Sequence, residues 1–159
     1  MLTVNNPSPY RLNNINTAWH AVLVTLHMEQ PIILFDGVCN LCNGAVQFVI
    51  RHDKKKIFLF TSLQSDAGQK LLAQYHYPLP ELNSFILIEN NQAYDRSTGA
   101  LKVARCLNGM LPLLYGFIIL PKFFRDSIYN WIGKNRYKWF GKKDACMIPT
   151  PELKARFLT

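Results

Sequence analysis

Apolar positions change their spacing along this chain, and each change marks an element. Ile32–Phe35 (IILF) is an unbroken apolar run, as in a strand buried on both faces. Asp36-Gly37 ends it. Cys42, Ala45, Val46 and Val49 then recur at the i, i+3, i+4, i+7 spacing of an amphipathic helix. Arg51 and Lys54, Lys55 and Lys56 gather at its C-terminal end, where they complement the helix dipole. Ile57–Phe60 (IFLF) predicts a second buried strand. Ser65-Asp66 opens a second helix carrying Leu71 and Leu72, which Tyr77-Pro78-Leu79-Pro80 stops. Phe85–Ile88 (FILI) predicts a third strand, Asn90-Asn91 a hairpin turn, and Gln92–Asp95 a short fourth strand. Ser97 is placed to cap a third helix whose inner face carries Ala100, Leu101, Ala104 and Leu107. Pro121 suits the start of a last helix, with Phe124, Ile128, Trp131 and Ile132 along one face.

The order β-α-β-α-β-β-α predicts an α/β sandwich around a mixed sheet, followed from about residue 110 by a helical C-terminal extension. Residues 31–158 are expected to form the domain. Residues 1–30 are rich in Asn, Pro, Ser and Thr and read as a poorly ordered extension. Met28, just ahead of the first strand, is a candidate natural start. A length of 159 residues with 49% hydrophobic positions suits one globular domain and argues against a disordered chain. Four cysteines are too few for a disulfide-stapled scaffold.

The formal charge is +8, and it is uneven. Nine basic residues lie between Lys122 and Arg156 against only Asp126, Asp144 and Glu152. An electrostatic partner would therefore meet the C-terminal part. The apolar runs Ala18–Leu26 and Leu111–Leu120 are far shorter than the roughly 20 residues of a spanning helix, so both read as core or interfacial segments. No basic cluster precedes the first run, which makes it a poor secretory signal. A cytoplasmic protein with reduced thiols is the expectation.

Cys39-Asn40-Leu41-Cys42 is the sharpest chemical feature. It follows a buried strand and opens a helix, the context of a redox CxxC. A helix N-terminus carries unpaired N–H groups and partial positive charge, so a thiolate is favoured there. Cys39 is expected as the exposed nucleophile and Cys42, one turn deeper, as the resolving thiol. A zinc site would need four ligands, and Cys106 and Cys146 are distant and unpaired. No metal or organic cofactor is therefore expected. Cys106 reads as a core residue of the third helix and Cys146 as a spectator. Asp36 is expected to cap the helix, with proton acceptance from Cys42 as the functional alternative. Gly37 is expected to supply a turn conformation closed to other residues. The run Asn135–Lys143 mixes cations with aromatics; an ordinary terminal element with aromatics packed inward is favoured over a nucleic-acid surface.

The segment DGVCNLC (Asp36–Cys42) resembles the Asp-x-x-Cys-x-x-Cys signature of the DCC family of thiol-disulfide oxidoreductases. The likeness continues through FVIRHD (Phe48–Asp53), LQSDAGQ (Leu63–Gln69), DRSTGAL (Asp95–Leu101), the stretch Leu120–Pro149 and ARFL (Ala155–Leu158). The resemblance implies a thioredoxin-like fold with Asp36, Cys39 and Cys42 as signature residues. Thioredoxins place a cis-proline just before their third strand; here Asn83-Ser84 precede Phe85, and Pro80 lies upstream. The activity expected is reduction of a disulfide in a protein or small-molecule substrate. A thioredoxin- or glutathione-type partner would restore the dithiol. The alternative is a non-enzymatic thioredoxin-like binding module whose basic, aromatic C-terminus meets nucleic acid or an acidic partner.

Overall fold

The computed structural model describes residues 30–77, 85–142 and 153–158. Among these described residues ten elements follow one another: β1 (Ile32–Phe35), α1 (Asn40–His52), β2 (Leu59–Ser62), α2 (Asp66–Gln74), β3 (Ile86–Glu89), β4 (Gln92–Asp95), α3 (Arg96–Cys106), a 3₁₀ segment (Leu111–Ile119), α4 (Lys122–Phe140) and a short 3₁₀ turn (Lys154–Arg156). The sheet order is β2-β1-β3-β4. β1 and β2 are parallel, as a helical crossover requires, while β3 runs antiparallel to both β1 and β4. This is the thioredoxin-like arrangement that the βαβαββα order predicts.

Alternation along the strands builds two cores. Ile33, Phe35, Phe60 and Leu87 face Val46 and Val49 of α1 and Val103 of α3. Ile32, Leu34, Leu59 and Ile88 face the other way, toward Leu72 of α2. Both faces of the sheet are covered, which is why its strands read as continuous apolar runs. Ser65 caps α2 by accepting the Gly68 N–H. A Cβ at Gly68 would stand 2.0 Å from the Ser62 carbonyl oxygen, so only glycine lets α2 start this close to β2. Asn90 and Asn91 take φ of 51° and 59°, the left-handed pair of a tight hairpin.

Several expectations shift. The second and third strands lie one to two residues later than the apolar runs suggest. Asp95, not Ser97, occupies the N-cap of α3, and no side-chain cap bond forms. Ser97 instead donates to buried Asp126 of α4. The segment Leu111–Ile119 buries no residue at all, so it is not core. Of the aromatics near the end of α4, Tyr137 is partly buried, but Trp139 and Phe140 are not packed inward and are each about half exposed. Cys106 is half-buried and packs against the α1/α3 core. The N-terminal extension, Met28, Pro80, Asn83-Ser84 and Cys146 lie outside the described residues.

Candidate active site

The site forms where β1 hands over to α1. β1 delivers Asp36 to its C-terminal end, and a two-residue turn places Cys39 at the N-cap of α1. The Cys42 N–H donates to Cys39 Sγ at 3.3 Å. Cys39 itself, rather than Asp36, therefore caps the helix. Ligand atoms of Asp36, Cys39 and Cys42 all lie within 4.8 Å of one another, and both thiols are free. The sulfurs are thus near enough to bond after a small rotation; a disulfide needs about 2.05 Å.

Accessibility runs opposite to expectation. Cys39 is fully buried and Cys42 is partly exposed. The cause is distant in sequence. Gly141, with φ of 76°, turns the chain at the end of α4 and lays Lys142 against Cys39 in an antiparallel bridge. The Asn40 side-chain amide donates to the Phe140 carbonyl at 2.8 Å and holds this cover in place. A helix N-terminus exposes its cap only if nothing folds over it, and local sequence is silent about that.

Asp36 is 3% exposed and carries four donors. Oδ1 accepts from the Val38 N–H at 3.2 Å and from Gln64 Nε2 at 2.9 Å. Oδ2 accepts from Arg136 at 2.8 Å and from the Tyr137 hydroxyl. The guanidinium of Arg136 also stacks on the Tyr137 ring, as does the ammonium of Lys142. Gln64 Oε1 in turn accepts the Gly37 N–H at 3.0 Å, and Asn43 Nδ2 donates to the Gly37 carbonyl at 2.9 Å. Gly37 is held in its turn by these bonds. Gln64, Arg136 and Tyr137 were not legible as site residues. They come from the β2–α2 loop and from α4, up to 101 positions from Asp36.

Burial pushes the Cys42 thiol far above the ordinary range, and the neighbouring Cys39 and Asp36 push it further; Arg136 opposes them. Burial likewise raises Tyr137, and its hydrogen bond to the Asp36 carboxylate adds to this. Beside Cys42 opens a cavity of about 350 Å³, lined by Leu41 and Ala45 of α1, Val103 of α3, Leu114, and Ile132 of α4, with Asp36 and Arg136 also on its wall. As a metal set, Asp36, Cys39 and Cys42 offer three ligands, fewer than a structural zinc needs, and the Asp36 oxygens are already engaged.

A Bacillus subtilis (strain 168) protein, "Uncharacterized protein YuxK", is 54% identical over 127 residues, covering 80% of this chain and 93% of that one. "DCC family protein At1g52590, chloroplastic" of Arabidopsis thaliana is 42% identical over 121 residues, 76% of this chain and 70% of its own. No solved structure matches significantly. Residues 33–142 match the DCC1-like thiol-disulfide oxidoreductase family, and with a Cys-x-x-Cys at the mouth of α1 and a buried aspartate behind it, this chain belongs to that family.

Proposed function

We propose that the protein is a protein-disulfide reductase working through the Cys39–Cys42 pair, with Asp36 as the third residue of the site. The observation that supports this best is the pairing of the two free thiols at the N-terminus of α1, one sulfur accepting the backbone N–H of the other residue. The Cys39 thiolate attacks one sulfur of the substrate disulfide. A mixed disulfide forms and the other substrate sulfur leaves as a thiolate. Cys42 then loses its proton and attacks Cys39 Sγ, releasing the second substrate thiolate and closing the Cys39–Cys42 disulfide. Two electrons pass from the dithiol to the substrate, and an external thiol of the thioredoxin or glutathione class returns them.

The raised Cys42 thiol suits this division of labour. It holds its proton while Cys39 attacks and gives it up only for the resolving step. Asp36, whose carboxylate stands within 4.8 Å, adds to the burial that holds this proton on Cys42. The apolar wall beside Cys42 would receive an apolar group flanking the substrate sulfur. Because Cys39 lies under Lys142, reaction requires that cover to shift. A reducing compartment such as the cytoplasm fits this direction of electron flow.

The test is trapping. Cys39→Ser should abolish disulfide reduction, and Cys42→Ser should accumulate a mixed disulfide through Cys39. If the Cys39→Ser/Cys42→Ser double variant reduced substrate as well as wild type, the mechanism would be wrong.

A further inference from the structure

The helix α4 is inside out. Its buried positions are polar, Asp126 and Arg136, held by Ser97 and Asp36. Its apolar stripe of Phe124, Ile128, Trp131, Ile132 and Trp139 faces solvent, each residue between 38% and 60% exposed. The preceding 3₁₀ segment continues the pattern, with Leu113 at 69% and Ile119 at 87%. Among the described residues, thirteen of fourteen exposed large apolar side chains fall between Met110 and Phe140, so this exposure is one surface rather than scatter. Leu114 and Ile132 join the two elements, since both line the cavity beside Cys42.

We propose that this face seats the protein on an anionic membrane surface. Charge decides the occupant. Between Met110 and Lys142 stand six Lys and Arg residues against one acid, Asp126, which is buried. Lys134 and Lys138 are exposed and lie between Trp131 and Trp139 in the sequence of α4. The two indoles touch edge to face at 5.0 Å. Tryptophan beside lysine is the pairing that rests at headgroup depth, the ring in the acyl boundary and the ammonium at the phosphates. A second copy would set the same cationic surface against itself. The residues ahead of the first strand offer a single acid, Glu29, and so cannot neutralise it. No described helix is long and apolar enough to cross a bilayer, so α4 lies on the surface. The cavity beside Cys42 then shares wall residues with the lipid-facing side.

The full-length chain should sediment with vesicles of equal parts phosphatidylglycerol and phosphatidylcholine at least about tenfold better than with phosphatidylcholine alone. Tryptophan emission should shift to the blue, and high salt should release the protein. Lys134→Glu/Lys138→Glu and Ile128→Ser/Trp131→Ser should each weaken binding about tenfold or more. These side chains are exposed, so both variants should keep the wild-type circular dichroism. Cys39→Ser/Cys42→Ser should bind like wild type, which separates this proposal from the redox reading. Equal or absent binding to the two vesicle types overturns it. So does a dimer in solution that Ile128→Ser/Trp131→Ser dissolves without any lipid binding, or vesicle binding seen only after residues 1–27 are removed.

Discussion

Two buried aspartates each reach about a hundred positions along the chain to an arginine, and the two pairs serve different ends. Asp53 closes α1: it accepts the Ile57 and Phe58 N–H groups and binds Arg156, which also donates to the Phe58 carbonyl. Among the described residues its partners are backbone groups and Arg156, and none is a thiol. Asp36 binds Arg136 with the same charge pairing, but besides the Val38 N–H its other partners are the side chains of Gln64 and Tyr137, and two cysteines stand within 4.8 Å. One pair ties the C-terminal segment to the β2 edge, where Leu158 donates to the Phe60 carbonyl at 2.8 Å. The other ties α4 to the redox motif. A buried ion pair by itself therefore says nothing about function; what surrounds it does.

Breaking the first pair should have the largest effect on stability. Asp53→Ala leaves Arg156 and two backbone N–H groups without their acceptor, at a cost of about 3–5 kcal/mol in unfolding free energy. Denaturant melts should show this loss, while the thiol–disulfide potential of the folded protein stays as in wild type. Asp36→Asn keeps an acceptor for Arg136 and should cost less, about 1–3 kcal/mol. Its signature is chemical. The carboxylate charge helps hold the Cys42 thiol up, so removing it lowers that thiol toward the ordinary range. In wild type, alkylation of Cys42 by iodoacetamide should rise only at pH values well above the usual range of a free cysteine, about 8.5. In Asp36→Asn the rise should begin at lower pH. An unchanged profile would reduce Asp36 to the same structural part as Asp53. The smallest effect is expected from Asn40→Ala, which releases the end of α4 from α1. Stability should fall by about 1 kcal/mol. Alkylation of Cys39, measured by peptide mass mapping, should speed up several-fold as Lys142 lifts away.

Short-range features were legible. IILF became β1 residue for residue because an unbroken apolar run suits a strand buried on both faces, while Ser65 capped α2 and Asn90-Asn91 made the hairpin because caps and tight turns act within four residues. The family likeness extended to FVIRHD and ARFL, the segments that hold Asp53 and Arg156, yet nothing in either segment says that they meet. Arg136 and Tyr137 sat in a run that composition could only describe as basic and aromatic.

By itself, the chain's pattern determined the strands, the helices, the Cys-x-x-Cys at a helix start and the apolar stripe of α4. Periodicity sets which residues share a face, because it depends only on 3.6 or 2 residues per repeat. Tertiary structure alone decided which way that stripe points, that Cys39 lies beneath Lys142, and that Asp36 holds Arg136 and Tyr137. Those outcomes depend on where α4 packs, which is a balance of contacts between segments a hundred residues apart.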